Sequence, residues 1–214
     1  MRRAERGPDP DATTRVLVFA RAPVPGEVKT RLIPALGAEG AARLHQRLTE
    51  TLLDRLAASD RIAVELWAAP DAGHPFFAQA ARRWPVTLHD QQGGDLGERL
   101  ALAAASALGR ARAVLLIGAD CPEMSLNYLA EAERRLEHQD AVIGPAQDGG
   151  YVLLGLRRFA PSLFRKIPWG GDKVAALTMA RLDGLGWRWS ALPPLRDIDR
   201  PEDLVQIPAR LRQR

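Results

Sequence analysis

The stretch Ala113-Val-Leu-Leu-Ile-Gly-Ala-Asp-Cys-Pro122 (AVLLIGADCP) decides the fold class of this 214-residue chain. Its first six residues form a very apolar run of strand length, and Asp120 follows directly after it. Six further runs of strand length precede and follow it, with segments of helical periodicity between most of them. This alternation predicts an α/β fold built on a mainly parallel sheet.

One turn departs from the parallel pattern. The sequence Gln147-Asp148-Gly149-Gly150 separates two strand-like runs by only a few residues, which indicates a hairpin. A hairpin places an antiparallel strand in the sheet, so we expect a mixed sheet. No repeat or linker interrupts residues 15–208. We therefore predict a single domain there, with a flexible tail at residues 1–14 and a C-terminal tail at residues 209–214.

Composition excludes several classes of protein. Hydrophobic residues make up 46% of the chain, enough for a full core, but the apolar runs are far shorter than the roughly 20 residues of a membrane span. We predict a cytoplasmic protein. A single cysteine excludes an internal disulfide framework, and the four histidines lack zinc-site spacing. The net charge is +4, but the arginines are scattered among acids, so we expect no specific nucleic-acid partner. The oligomeric state stays open.

A basic loop follows the first predicted strand, with the sequence R-A-P-V-P-G-E-V-K-T-R-L over residues 21–32. Two prolines stiffen this loop and Gly26 allows a close backbone turn. The side chains of Arg21, Lys29 and Arg31 can then converge on one anion. Lys29 is one of only three lysines beside 27 arginines, and lysine brings a compact charge to a phosphate. The alternative interpretation is a solvated surface turn.

Asp120 stands at the end of the central strand, where ligands bind in open α/β sheets. A carboxylate there is placed to reach a divalent cation bound to a ligand's phosphates, because such ions take one or two carboxylates plus phosphate oxygens. Alternatively, Asp120 caps the helix that begins near Ser125 or holds the turn at Cys121-Pro122. Cys121 has no matched base in the sequence, which disfavours a nucleophilic role.

A third segment, D-I-D-R-P-E-D-L at residues 197–204, carries two more aspartates. Asp199 and Glu202 have the spacing of a capping box, which predicts that Asp199 caps a C-terminal helix. Asp197 has no such explanation. A spacing of two places both aspartates on one side of an extended segment, where they can meet Asp120 across a metal. We therefore predict a site for Mg²⁺ or Mn²⁺.

Three glycine-containing loops complete the candidates. The loops at residues 93–99 (GGDLGER) and 144–151 (GPAQDGGY) are suited to a base or a sugar, or are ordinary turns. In each, one aspartate can accept hydrogen bonds from hydroxyl groups. In Gly170-Gly171-Asp172-Lys173 we favour a helix capped by Asp172 over an anion site.

Five ordered motifs together resemble a known superfamily: FARAPVPGEVKTRL, GDLGER, IGADCP, GPAQDGGY and DIDRPEDL. The chain resembles glycosyltransferase A (GT-A) superfamily proteins, in a bacterial branch similar to 2-phospholactate guanylyltransferase. The resemblance covers about residues 15–208. It implies a three-layer α/β/α sandwich with a mixed, mainly parallel sheet, the fold of nucleotide-diphospho-sugar transferases.

The resemblance also implies roles for residues of these motifs. The implied metal ligands are Asp120, Asp197 and Asp199. The candidate catalytic residues are Lys29, Arg31, Asp120 and Asp148, of which Asp148 is proposed as a base on its residue type and loop position alone. The resemblance implies nucleotide contacts by Lys29, Arg31 and the segment from Asp95 to Arg99. The full set of candidate nucleotide-binding residues is Ala20, Arg21, Pro23, Gly26, Lys29, Arg31, Gly94, Asp95, Leu96, Gly97 and Arg99. The implied acceptor-binding residues are Asp148, Gly149, Gly150 and Tyr151.

Three functions follow as hypotheses. The first is a metal-dependent glycosyltransferase that uses a nucleotide-activated sugar and a small-molecule acceptor. The second is a nucleotidyltransferase that joins a nucleoside triphosphate to a phosphorylated acceptor and releases pyrophosphate. The third is nucleotide binding without turnover, since fold does not dictate function. Many GT-A glycosyltransferases carry Asp-x-Asp at the central loop, whereas this chain has the single carboxylate of Asp120.

Overall fold

Seven strands form one mixed sheet in the computed structural model, which describes residues 14–59 and 62–207. In chain order the strands are β1 (Thr14–Arg21), β2 (Ala63–Ala69), β3 (Val86–Asp90), β4 (Ala113–Gly118), β5 (Ala141–Pro145), β6 (Tyr151–Leu156) and β7 (Trp189–Ala191). Their spatial order is β3-β2-β1-β4-β6-β5-β7. The predicted fold class is confirmed.

Strand β6 runs against both of its neighbours, β4 and β5, and the other pairs in the sheet are parallel. The short turn after β5 explains this direction, because a tight connection can join only antiparallel strands. The hairpin predicted from the turn at residues 147–150 is therefore present. It returns the chain directly beside β4, so the start of β6 lies next to the end of β4.

Within the described residues, five α-helices cover the two faces of the sheet. They are α1 (Ile33–Ala57), α2 (Pro75–Arg83), α3 (Leu96–Leu108), α4 (Leu126–Leu136) and α5 (Val174–Gly184). Helices α1, α2 and α4 pack on one face through a core that includes Leu53, Phe77 and Leu129. Helices α3 and α5 pack on the other face, where Ala104 and Leu182 are fully buried. The result is the three-layer arrangement expected from the sequence.

Helix α1 is interrupted near its start. Gly37 has φ of 70° and ψ of 164°, which are not helical values. A φ in this range suits glycine because it has no β-carbon. The main part of the helix then carries Leu44, Leu48 and Leu52 toward the core at helical spacing.

The C-terminal segment differs from its prediction. It forms a short 3-10 helix (Pro201–Gln206), and the side chain that caps it belongs to Asp203. Asp203 Oδ2 accepts hydrogen bonds from the backbone N–H groups of Arg200 (2.7 Å) and Asp199 (3.0 Å). The prediction that Asp199 caps this helix was wrong, and its carboxylate is left to pair with Arg31.

Two other predictions are the tails at the chain ends and the lack of a membrane-spanning helix. The tails predicted at residues 1–14 and 209–214 lie outside the described residues, apart from Thr14, which begins β1. Within residues 14–59 and 62–207, no helix combines the length and the apolar composition that crossing a bilayer requires.

Candidate functional site

The three loops singled out in the sequence meet at the carboxyl end of β1 and β4. Lys29 Nζ lies 2.8 Å from Asp120 Oδ2. The backbone N–H of Ile198 donates to the carbonyl oxygen of Asp120 at 3.0 Å, which places Asp197 and Asp199 beside the same loop. Arg31 forms an ion pair with Asp199. Cations from the first loop and carboxylates from the other two thus face one another, as the strand order requires.

Lys29 is the most enclosed cation of the first loop. Its side chain is 4% exposed, and its backbone adopts the left-handed conformation with φ of 48°. Such a conformation is uncommon for a residue with a β-carbon and is found preferentially at functional positions. The chain turns here into a short 3-10 helix (Thr30–Leu32), which contains Arg31.

Asp120 carries a full negative charge at neutral pH. Burial alone would raise the pKa of its carboxyl, but the charge of Lys29 and the nearby ring of His45 outweigh burial and hold that pKa well below its usual range. Asp120 Oδ1 is buried, whereas 40% of the side chain is exposed. The exposed part, around Oδ2, therefore faces open space at the end of β4.

His45 is a site residue that the sequence did not reveal. It lies on α1 and is 6% exposed, and its Nδ1 is 3.5 Å from Asp120 Oδ1. A lone histidine among leucines at helical spacing resembles an ordinary core position. No local motif could have identified it, since its contact with Asp120 spans 75 residues of sequence.

A cavity of about 360 Å³ opens where these loops meet. One wall is acidic, and its carboxylates are Asp120, Asp148, Asp197 and Asp199. Arg31 lies among them. The other wall is mainly apolar and is built from Phe19, Leu96, Leu100, Leu116, Tyr151 and Trp169. The cavity is thus divided into a charged part and an apolar part, as expected of a site for a ligand with a polar and a planar or apolar end.

Negative charge accumulates on the acidic wall. Burial raises the pKa of Asp197 to about 6, and the nearby charges of Asp148 and Asp120 add to this shift, against a smaller opposite effect of Lys29. A carboxyl with a raised pKa next to other carboxylates marks a place where a cation would be favoured. The prediction of a metal beside Asp120 and Asp197 rests on this accumulation of negative charge.

The predicted residues divide into two groups. Those that line the cavity are Arg31, Leu96, Asp120, Asp148, Gly150, Tyr151, Asp197 and Asp199. Lys29 reaches it through its contact with Asp120. The predicted residues outside the cavity wall are Ala20, Arg21, Pro23, Gly26, Gly94, Asp95, Gly97, Arg99 and Gly149.

Side chains of the loop at residues 93–99 are used within the loop itself. Asp95 caps α3, because its Oδ1 accepts from the N–H of Glu98 at 2.8 Å. Arg99 Nε donates to the carbonyl oxygen of Gly93 at 3.1 Å. Before Asp95 or Arg99 could contact a nucleotide through these atoms, its bond within the loop would have to break.

The hairpin turn is held against the start of α5. A β-carbon on Gly149 would lie 2.0 Å from the carbonyl oxygen of Asp172, and the N–H of Ala175 donates to Gly149 O at 2.9 Å. Only glycine fits this approach. The N-cap of α5 is Lys173, which makes no side-chain capping bond, so the prediction that Asp172 caps this helix was wrong.

Several residues of the apolar wall were not predicted. Phe19 and Leu116 belong to strands and were expected only as core. Trp169 precedes the glycine pair that was interpreted as a helix start. Trp169 Nε1 and Tyr151 Oη are both buried without a hydrogen-bond partner in the described part of the chain. Buried donors without a partner are rare in folded proteins.

Cys121 shows no sign of nucleophilic chemistry. It is a free, buried cysteine, and burial raises the pKa of its thiol to about 11. The thiol is therefore protonated at neutral pH, and a protonated thiol is a poor nucleophile.

Comparison with known proteins gives the family. The profile described as uncharacterized protein conserved in bacteria (DUF2064) matches residues 52–171, more than half of the chain. The chain belongs to the DUF2064 family. None of the proteins of curated function matches this DUF2064 chain in sequence.

Solved structures place this DUF2064 protein in a wider group. A candidate nucleotide-diphospho-sugar transferase from Desulfovibrio desulfuricans is 32% identical with a TM-score of 0.80, over 87% of this chain and 82% of that one. A 4-diphosphocytidyl-2C-methyl-D-erythritol synthase from Anaerococcus prevotii is 11% identical with a TM-score of 0.62, over 94% and 99%. A cytidylyltransferase from Leptospira borgpetersenii is 17% identical with a TM-score of 0.55, over 90% and 84%. The last two likenesses show the fold alone. The family match and the 32% identical structure together support a GT-A-like superfamily.

The DUF2064 site suits one manner of metal binding. Within the described residues, no three metal-ligating side chains converge tightly enough to hold an ion by themselves. Magnesium commonly takes only one or two carboxylates and completes its shell with phosphate oxygens and waters. Asp120 and Asp197 fit that donor set. They suit a cation that arrives with a phosphorylated ligand better than one held permanently.

Proposed function

We propose that this protein is a divalent-metal-dependent glycosyltransferase that uses a nucleotide-diphospho-sugar as donor and a small hydroxylated molecule as acceptor. The protein is an enzyme of the transferase type, and its structural neighbours include nucleotidyl and nucleotide-sugar transferases. The observation that carries the proposal is the meeting of Lys29 and Asp120 at 2.8 Å beside a cavity with one acidic and one apolar wall.

The apolar wall supports binding of a nucleoside. Phe19, Tyr151 and Trp169 present aromatic surface to the cavity, and flat apolar surface suits a nucleobase. The diphosphate would then lie toward Lys29 and Arg31, which are cations on the loop after β1. A diphosphate leaving group develops negative charge as its bond to the sugar breaks, and fixed cations stabilise that charge.

The acidic wall supports the acceptor and the metal. In the proposed reaction an acceptor hydroxyl attacks the anomeric carbon of the sugar, and its proton passes to a base as the bond to the diphosphate breaks. Asp148 is the candidate base, because it lines the cavity and is exposed. Its Oδ1 already accepts from the N–H of Gly150 at 2.9 Å, which leaves Oδ2 for the acceptor.

Mg²⁺ or Mn²⁺, bound by Asp120 and Asp197 together with the phosphates, would supply further neutralisation of the leaving charge. Asp199 is the third predicted ligand. Its ion pair with Arg31 must open before it can reach a metal, so we place Asp120 and Asp197 first.

Nucleotidyl transfer is the second candidate, and a specific observation favours it. Directly after β4, at Gly118-Ala119-Asp120-Cys121, this chain carries one carboxylate, which is paired with Lys29, whereas many GT-A glycosyltransferases carry Asp-x-Asp there. One aspartate with flanking cations suits a triphosphate whose α-phosphate is attacked by a phosphorylated acceptor. The resemblance to 2-phospholactate guanylyltransferase remains a prediction of this kind.

Phosphorus NMR separates these candidates. Purified protein is incubated with Mg²⁺ or Mn²⁺, nucleoside triphosphates, nucleotide sugars and a pool of small acceptors. Acceptor-dependent release of a nucleoside diphosphate supports glycosyl transfer, whereas acceptor-dependent release of pyrophosphate establishes the second candidate in its place. Binding without turnover across the whole panel favours a protein that only binds nucleotides.

A further inference from the structure

A buried histidine connects two of the three loops. His45 Nε2 lies 3.0 Å from the carbonyl oxygen of Arg21, at the end of β1. A carbonyl oxygen can only accept, so Nε2 carries a hydrogen and donates it. This bond attaches the loop after β1 to helix α1.

The other ring nitrogen faces the loop after β4. His45 Nδ1 is 3.5 Å from Asp120 Oδ1, and both atoms are buried without a hydrogen-bond partner among the described residues. The separation exceeds hydrogen-bond length by only about 0.3 Å. Because Nε2 already donates its hydrogen to Arg21, Nδ1 can hold the anionic Oδ1 only as a second N–H donor, with the ring protonated on both nitrogens. Buried polar atoms seldom stay unpaired, and in that state Nδ1 and Oδ1 satisfy each other.

The two oxygens of Asp120 therefore have different surroundings. Oδ1 is buried and faces His45, whereas Oδ2 faces the cavity side and contacts Lys29 Nζ at 2.8 Å. A carboxylate rotates readily about its last torsion, which has a broad energy profile. A partner on Oδ1 restricts this rotation and fixes the direction in which Oδ2 points.

We propose that His45 is a positioning residue, which holds Oδ1 of Asp120 so that Oδ2 is presented to the ligand, while Lys29 occupies Oδ2 until phosphate arrives. The inference rests on the proposed function, because it assigns Oδ2 to the cation that accompanies a nucleotide. Partners that orient a metal ligand typically change metal affinity about 10- to 100-fold when they are removed.

Two variants separate the two bonds of His45. In His45→Asn the side-chain amide nitrogen takes the place of Nδ1, so the contact with Asp120 is kept and the bond to Arg21 is lost. In His45→Gln the amide nitrogen takes the place of Nε2, so the bond to Arg21 is kept and the contact with Asp120 is lost. Mn²⁺ binding is measured by water-proton relaxation in the presence of each of the four ribonucleoside triphosphates, and turnover and melting temperature are recorded beside it.

We expect His45→Asn to bind Mn²⁺ with nucleotide within about threefold of wild type and His45→Gln to bind it at least about tenfold more weakly. The opposite ranking would show that His45 only anchors the loop after β1, and equal affinities would also overturn the proposal. If His45→Gln fails to fold, His45→Asn decides alone: retained affinity supports the role and a tenfold loss overturns it.

A matched control is His89→Asn, which removes the nitrogen that faces the carboxylate. His89 Nε2 is likewise 3.5 Å from a carboxylate, Glu65 Oε2, but Glu65 lies outside the cavity wall, so Mn²⁺ affinity should not change. Normal binding by wild type and by His45→Gln would overturn this inference alone. Absence of any Mn²⁺ and nucleotide binding by wild type would overturn the proposed function as well.

Discussion

Two carboxylates on the same sheet, Glu65 on β2 and Asp120 after β4, have opposite surroundings. Glu65 is completely buried and accepts hydrogen bonds from Arg110 (2.6 Å), Arg15 (3.1 Å) and Trp67 (3.2 Å). Asp120 has one close cation, Lys29, and is 40% exposed. Both have a histidine nitrogen at 3.5 Å. A carboxylate with its bonds completed by protein stabilises the fold, whereas one left partly open can bind a ligand.

The largest expected effect is a loss of turnover on substitution of Asp120, the partly exposed carboxylate. Asp120→Asn keeps the size of the side chain but removes the charge that would hold the metal and its phosphates. We expect transferase turnover to fall about a thousandfold, which corresponds to about 4 kcal/mol of transition-state stabilisation. Turnover per folded molecule is measured with whichever donor the phosphorus NMR identifies. The melting temperature should fall as well, because Lys29 is 4% exposed and loses its counter-charge.

Glu133→Gln is the control for that loss. Glu133 pairs with Arg112 on the surface at 3.4 Å and lies outside the cavity wall, so this variant should keep its turnover. Full activity of Asp120→Asn would show that the metal site has been assigned to the wrong residue.

Substitution of the buried Glu65 should lower stability and leave turnover per folded molecule unchanged. Glu65→Gln leaves the guanidinium groups of Arg15 and Arg110 without a counter-charge, and breaking a buried pair is strongly destabilising. Both arginines are partly exposed, so we expect a loss of about 2–3 kcal/mol in the free energy of unfolding. Urea denaturation measures it. Activity per folded molecule should be unchanged, and a large loss of turnover without a loss of stability would reverse the comparison.

Asp197 is a third carboxylate with intermediate burial, and its contribution to stability depends on pH. Because the pKa of Asp197 is raised to about 6 from its ordinary value of 3.8, the folded protein binds this proton more tightly than the unfolded chain. Stability from this group therefore falls as pH rises from about 4 to about 6 and is constant above that range. The group is partly exposed, so we expect an effect of only about 1 kcal/mol after solvent screening.

The test is the melting temperature of Asp197→Asn against wild type between pH 4 and pH 7.5. The variant lacks the ionising group, so its advantage over wild type should grow up to about pH 6. Added Mg²⁺ and nucleotide should reduce that advantage, because a cation relieves the repulsion on the acidic wall. Parallel curves for the two proteins would contradict the raised pKa.

The smallest effect on turnover is expected for substitution of Cys121, the residue that follows Asp120. Cys121→Ala removes the only thiol of the chain, which burial keeps protonated. Turnover should stay within about twofold of wild type, and iodoacetamide should label native wild-type protein slowly. Loss of turnover in this variant would require a covalent role for Cys121 and would reduce the importance of Asp120.

The sequence predicted the elements of the fold well because their signals are local. The AVLLIG strand, the hairpin turn and the alternation of periods all depend on neighbouring residues. The strand that became β7 was predicted longer than its three residues, Trp189–Ala191. The caps were less predictable: Asp203 rather than Asp199 caps the last 3-10 helix, because the choice between two nearby carboxylates depends on which one is drawn toward Arg31.

The site was predictable only in its polar part. Charged residues in loops, such as Lys29, Asp120 and Asp197, are conspicuous where apolar strands end. Phe19 and Trp169 appear in the sequence as ordinary apolar residues, and their place in the cavity depends on tertiary packing. His45 can be recognised as a site residue only from its long-range contacts with the loops after β1 and β4. Residue spacing in the sequence does not reveal such contacts.

The most direct measurement is a crystal structure of wild-type protein with Mn²⁺ and the nucleotide that gives the largest increase in melting temperature, using the anomalous signal of manganese. We expect a manganese peak bonded to Asp120 Oδ2, with Lys29 moved from that oxygen onto a phosphate and the base against the apolar wall. A manganese peak away from Asp120, or a nucleotide bound while Lys29 still pairs with Asp120, would contradict the assignment of this cavity as the transferase site.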